Sequence, residues 1–215
     1  SPASSSTAFT VGHGLGVAPK MYWVKTRDST GGGWTVFHEE IGAGKYLFLN
    51  TTAASASSTL AHNNTAPTTS VFSQNTGWAG TSRSYVYYAF AEIKGYSKFG
   101  TYTGNGDVGG DGTFVYCGFK PAFVMVKRTN ATFGWVMLDN KRATTSGNEI
   151  DKSLLANSSA VEASSSDDID FLSNGFKWRM TSNHSATNGN LDPYVFMAFA
   201  ESPLVGSNFV PTNAR

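Results

Sequence analysis

Tyr85-Val86-Tyr87-Tyr88-Ala89-Phe90-Ala91-Glu92 returns as Tyr194-Val195-Phe196-Met197-Ala198-Phe199-Ala200-Glu201, with six of eight positions identical. A short run this rich in aromatic and β-branched residues reads as a buried strand. Three more matches follow in the same order. Gly16-Val17-Ala18-Pro19 with Lys25 aligns with Gly118-Phe119-Lys120-Pro121 with Lys127, and Trp34 aligns with Trp135. Lys45-Tyr46-Leu47-Phe48-Leu49-Asn50 aligns with Lys152-Ser153-Leu154-Leu155-Ala156-Asn157. The sequence therefore reads as an internal duplication. Copies of about 100 residues exceed the roughly 20–50-residue period of solenoids and propellers and match a small β-sandwich.

The expected architecture is all-β: two tandem antiparallel β-sandwich repeats, residues 1–95 and 96–215. Within the first copy, Lys20 to Lys25, Trp34 to Phe37, Tyr46 to Leu49, Val71 to Ser73 and Tyr85 to Ala91 are strand candidates between Gly, Ser, Thr and Asn clusters. The helical rivals, Thr52 to Leu60 and Ser158 to Ala163, are Ala/Ser stretches whose hydroxyls favour local backbone bonding, so at most one turn is expected in each. Pro19 and Pro121 stand where a strand begins, a place where the missing N–H costs no ladder bond. Gly95 to Gly106 carries alternating aromatics and then a turn, which reads as an extra leading strand of the second copy. The first copy has only Ala8-Phe9-Thr10-Val11 ahead of its proline. Its own leading strand is expected upstream or from elsewhere, and the chain is expected to be processed or excerpted, since Ser1 to Ser6 has neither an initiator Met nor signal-peptide regions.

Composition narrows the function. Of 215 residues, 14% are charged, 40% hydrophobic and 13% aromatic, so the chain has enough apolar matter to bury a core. Its formal charge of +1 provides no general field for phosphate backbones or anionic lipid. Nucleic acid is not an expected partner. The longest apolar runs fall far short of the roughly 20 residues of a membrane helix, so no membrane insertion is expected. The single Cys117 excludes an internal disulfide and reads as a small strand residue.

Candidate chemistry sorts by comparing the copies. Lys25 with Glu92 and Lys127 with Glu201 sit at matched places and read as structural ion pairs rather than acid/base couples. His13, His38, His62 and His184 form no tight metal motif, and Gly-x-Ser-x-Gly is absent, so no metal, cofactor or hydrolase triad is expected. Asp107 and Asp111 lie in a Gly-rich segment without the closing Glu of a calcium loop, and Asp167-Asp168-Ile169-Asp170 is discounted likewise. The five Asn-x-Ser/Thr triplets follow from composition. What remains is loop surface dense in Asn, Thr, Ser and Gly: Ala61 to Pro67, Asn75 to Arg83 and Thr181 to Asn190. Such loops hydrogen-bond hydroxyls and stack sugar faces. The candidate ligand-binding residues are Trp78, His62, Asn63, Asn64, Asn183 and His184, with Trp78 first because the second copy's matching loop lacks it.

Gly12-His13-Gly14-Leu15-Gly16-Val17-Ala18-Pro19-Lys20, Lys45 to Ala54, Gly95 to Gly106 and Tyr116-Cys117-Gly118-Phe119-Lys120-Pro121 together resemble an uncharacterised repeat domain of tailed-bacteriophage virion proteins. The resemblance covers nearly the whole chain and implies a jelly-roll, SPRY-like or concanavalin-like β-sandwich in tail or fibre proteins. It brings no catalytic residue. The implied role is an adhesin-like, non-enzymatic module on the exposed virion surface that binds a host-surface glycan or protein and contacts other virion proteins. A homotrimer is expected, since symmetric fibres multiply weak contacts. The alternatives are a capsid decoration or head-fibre protein and a glycan depolymerase, the last requiring two carboxylates about 5–10 Å apart in one groove.

Overall fold

Aromatic and β-branched runs form strands here because each can bury one or both faces against a second layer. The computed structural model describes residues 6–28, 32–80, 82–142, 148–182 and 184–202, and the chain divides into two units, Ser1–Ala91 and Glu92–Arg215. The division falls at 91/92 rather than 95/96. Glu92 and Ile93 bond forward: Lys98 Nζ and the Phe99 N–H donate to the Glu92 carboxylate at 2.7 and 3.2 Å, and Ile93 bridges Ser97.

The first unit contains β1 (Ala8–Gly12), β2 (Met21–Thr26), β3 (Thr35–His38), β4 (Lys45–Phe48), β5 (Ala56–Ser57), β6 (Val71–Asn75), α1 (Thr76–Ala79) and β7 (Tyr85–Phe90). A five-stranded antiparallel sheet runs β5-β4-β3-β2-β7, and a two-stranded sheet pairs β1 with β6. Tyr22, Phe37 and Phe72 fill the space between them, with Val11, Tyr87 and Ala89 packed alongside. Tyr22 stacks on Phe72 at 4.5 Å and on Phe37 at 4.8 Å between ring centroids. Fully burying each such ring contributes roughly 1.5–3 kcal/mol.

The second unit contains β8 (Ser97–Thr103), β9 (Phe114–Tyr116), β10 (Pro121–Arg128), β11 (Val136–Asp139), β12 (Glu149–Leu155), β13 (Ala163–Leu172), β14 (Gly175–Trp178) and β15 (Pro193–Ala200). Its sheet is continuous, β8-β15-β10-β11-β12-β13-β14-β9. The ten-residue β13 makes this possible, pairing with β12 on one side and β14 on the other. The sheet folds over its own core, so Val124 and Val126 of β10 share one buried cluster with Ile169 of β13 and Trp178 of β14. In the first unit, two-residue β5 leads instead into a polar loop that ends at β6, which leaves two separate sheets.

Some local expectations change. Thr52 to Leu60 and Ser158 to Ala163 are non-helical, within the single turn allowed to each, and among the described residues the helical turns are α1 and a 3-10 turn at Glu39–Ile41. Both begin with a side chain accepting a backbone N–H, from Asn75 and His38 respectively. The ion pairs also differ. Glu92 pairs with Lys98, and Glu201 with Lys120 at 3.0 Å. Lys25 and Lys127 instead donate to the carbonyls of Gly32 and Phe133, at 2.5 and 2.8 Å. Cys117 lies one residue past β9, buried.

Candidate functional site

The sequence around β6 and α1 builds a lined cavity. Asn75 ends β6 in extended backbone, and its Oδ1 accepts the Gly77 N–H at 2.8 Å, which starts the single turn of α1. Gly80, at φ +90°, ends that turn by donating its N–H to Thr76 O at 2.8 Å. One turn is enough to lay Trp78 across β4. Its ring stands 4.5 Å from Tyr46 and 6.3 Å from Phe48, and Nε1 donates to Thr35 Oγ1 at 3.3 Å. Trp78 is half-buried, an aromatic surface held in one orientation from behind.

Beside it opens a cavity of about 210 Å³, lined by Val24, Thr26, Gly32, Gly33, Thr35, Phe48, Gln74, Trp78, Ala79 and Tyr85. Gly33 keeps the wall close, since a Cβ there would lie 2.5 Å from the Phe48 ring. The Tyr85 hydroxyl donates to the carbonyls of Ala79 and Gly80 and ties the far end of α1 to β7. Gln74 is the unusual member. It is fully buried, its Nε2 donates to the Tyr22 hydroxyl at 3.5 Å, and its Oε1 has no hydrogen-bond partner. A buried amide oxygen left unpaired costs about 1–3 kcal/mol.

Behind Gln74 lies a polar chain. The Tyr22 hydroxyl and His62 Nδ1 share a hydrogen bond of 2.8 Å, and His62 Nε2 is buried without a hydrogen-bond partner. Both rings of the Tyr22–Phe37 stack meet His62 edge-on. Burial lowers the His62 pKa to about 4, against a smaller opposing contribution from the Val36 backbone. Burial also raises the Tyr22 pKa, helped by the neighbouring Tyr87. The result is a neutral network, unsuited to proton transfer near neutral pH.

His62 was expected as a surface contact and is instead sealed in the first unit's core. Asn63 and Asn64 turn the chain at φ +50° and +45°, in the left-handed region that asparagine tolerates. Asn63 Oδ1 accepts from Asn75 Nδ2 at 3.1 Å, bracing the residue that caps α1, and Asn64 is exposed. Asn183 lies outside the described residues. His184 belongs to the second unit, where its carbonyl accepts from the N–H groups of Thr187 and Asn188 at 3.2 and 3.0 Å. That loop is clamped: Tyr194 donates to Ser185 O at 2.7 Å, and Asn188 bonds Asn105 in both directions at 2.9 and 3.2 Å.

Sequence reasoning missed Gln74, Thr35, Phe48 and Tyr85. The available signal was Phe72-Ser73-Gln74 beside Phe176-Lys177-Trp178, an amide in the first unit's segment where the second unit's carries a tryptophan. Trp178 is fully buried and fills its interior.

Asp107 is a turn residue, its Oδ1 accepting the Gly109 and Asp111 N–H groups at 2.9 and 2.7 Å, while Asp111 pairs with Lys177. The Asp167 and Asp168 side chains fall outside the described ones. Among the described residues, no group of three or more His, Cys, Asp or Glu side chains could hold a metal ion, and no helix is long and apolar enough to cross a membrane. No curated protein and no solved structure matches this chain. A family model described as a domain of unknown function, DUF7483, matches residues 2–203, and the chain belongs to that family.

Proposed function

We propose that this chain is a duplicated β-sandwich module that binds without transforming its ligand, displayed on a phage virion surface and directed at a host-surface glycan or protein. The observation that carries the binding reading is the first-unit cavity, lined by the held Trp78 ring together with Thr26, Thr35 and Gln74. A fixed aromatic face beside polar side chains suits a sugar ring, which offers C–H groups to the face and hydroxyls to the polar groups around it. At about 210 Å³ the site is smaller than the roughly 300–1,000 Å³ of drug-sized pockets and takes one ring or one side chain. A homotrimer would gather three such weak sites into useful avidity.

The duplication is supported by register. In the first unit Tyr22 pairs with Phe37 and Ala89; in the second, Val124 pairs with Leu138 and Ala198. Lys45 pairs with Ser57, and Lys152 with Ser164. The N–H of Trp34 donates to Asn50 Oδ1 at 2.7 Å, and that of Trp135 to Asn157 Oδ1 at 2.8 Å. These are the positions the sequence aligns, down to the side chain that closes the turn. The departure of Gln74 from Trp178 then reads as a site opened in one copy of a shared frame.

The test is adsorption of the purified protein to candidate host cells, with and without periodate oxidation of surface glycans, followed by a reducing-sugar assay. Periodate-sensitive adsorption without sugar release, weakened at least tenfold by Trp78→Ala, is the expected result. Sugar release would replace the reading with a depolymerase, and absence of adsorption to any cell would point to a virion partner.

A further inference from the structure

We infer that the outer edge of β7 docks an extended polypeptide strand with the side-chain pattern of β8. The inference rests on the proposed equivalence of the two units. In the second unit, β15 is flanked on one side by β10 and on the other by β8, in register from Pro193↔Thr103 to Phe199↔Ser97. In the first unit β7 ends the sheet and, among the described strands, pairs with β2 alone. Strand edges of this kind template the addition of another strand.

The side chains around β7 specify the occupant. Tyr102 of β8 is buried, stacks on Tyr194 at 4.9 Å and donates its hydroxyl to Thr187 O at 2.6 Å. The residue of β7 aligned with Tyr194 is Tyr85. Beside Tyr85 and Tyr87, and bounded by Phe9 and Val11 of β1, lies a groove of about 400 Å³. It stands where the equivalence puts the side chain of a Tyr102 counterpart. Tyr87, aligned with Phe196, has a buried hydroxyl without a hydrogen-bond partner, and burial raises its pKa to about 12.

Opposite Phe196 stands Gly100, where a Cβ would come within 2.9 Å of the ring. The occupant is therefore read as aromatic, glycine, any residue, aromatic, running antiparallel to β7: the pattern Phe99-Gly100-Thr101-Tyr102. Its glycine faces Tyr87, its second aromatic enters the groove beside Tyr85, and its first lies against Tyr88, which is 48% exposed. The added strand continues the sheet by one, as β8 does in the second unit, and satisfies backbone groups along the edge.

The test uses the full chain and a synthetic peptide of sequence Gly95 to Gly104. Binding is read by fluorescence polarisation of the labelled peptide, and its place by hydrogen exchange. The expected result is saturable binding that slows exchange at least tenfold within Tyr85 to Phe90, with at least tenfold weaker binding of a scrambled peptide and of one carrying Gly100→Val. Equal binding by the scrambled peptide would overturn the unit equivalence as the guide to the occupant. No binding, or binding without slowed exchange in β7, would overturn the docking edge itself. Neither outcome bears on capture of a glycan at Trp78, which is read separately by periodate-sensitive adsorption.

Discussion

Acidification should destabilise the first unit through one residue, His62. Its imidazole is neutral in the folded protein, with a pKa lowered to about 4 by burial, and it returns to its ordinary 6.5 when the chain unfolds. Between those values the unfolded chain binds the extra proton, so stability rises with pH there and is lost as pH falls from 6.5 towards 4. For this pair of pKa values the loss is about 2 kcal/mol at pH 5 and about 3 kcal/mol at pH 4. That is a large share of the roughly 5–15 kcal/mol available to a domain. The assay is urea denaturation of the wild type and His62→Gln from pH 7 to pH 4, read by hydrogen exchange in β2 and β6 so that the first unit is followed by itself. The glutamine can still hydrogen-bond the Tyr22 hydroxyl but cannot titrate. The difference between the two proteins should shrink by about 3 kcal/mol over that range. Parallel pH profiles, or an imidazole resonance titrating near 6.5, would refute the reasoning.

Three further outcomes follow from buried polar groups. Gln74→Leu removes the unpaired Oε1 and should raise stability by about 1 kcal/mol while abolishing ligand capture, a trade that thermal melts and adsorption assays together would expose. The Cys117 thiol, pushed up to about 12 by burial, should resist iodoacetamide at pH 8 in the folded protein and react once denaturant is added. Burial, with a smaller contribution from Arg128, lowers the Lys127 pKa to about 8, so the unfolded chain holds the extra proton between about pH 8 and its ordinary 10.5. Wild-type stability should therefore rise over pH 8 to 10 relative to Lys127→Met, as denaturation at three pH values would show.

The strands were legible because they carry the aromatic and β-branched runs that a two-layer fold requires, and Tyr85 to Ala91 announced β7 almost to the residue. The leading strand of the second unit was legible too, as alternating aromatics that became β8. The ion pairs were not. Lys25 and Glu92 match Lys127 and Glu201 by position, but position along two strands does not say which carbonyl or carboxylate a long side chain reaches. His62 was misplaced for a related reason. Its neighbours Asn63, Asn64 and Thr65 mark a surface turn, and only the tertiary fold shows that the residue before the turn points inward onto Tyr22. Trp78 drew notice because no tryptophan stands at the matching place ahead of Tyr194, whereas Gln74 lies between the expected strand Val71 to Ser73 and the expected loop Asn75 to Arg83 and drew none. The physics of the site lies in that buried amide, and burial is what a linear pattern specifies least.

The measurement that tests the binding reading most directly is an NMR titration of the protein with host-surface glycan fragments, following the Gln74 side-chain amide and the Trp78 indole N–H. Perturbations concentrated on these two groups, with the Trp78 indole shift abolished in Gln74→Leu, are what the account predicts. Saturable glycan binding that leaves both resonances unmoved would contradict it.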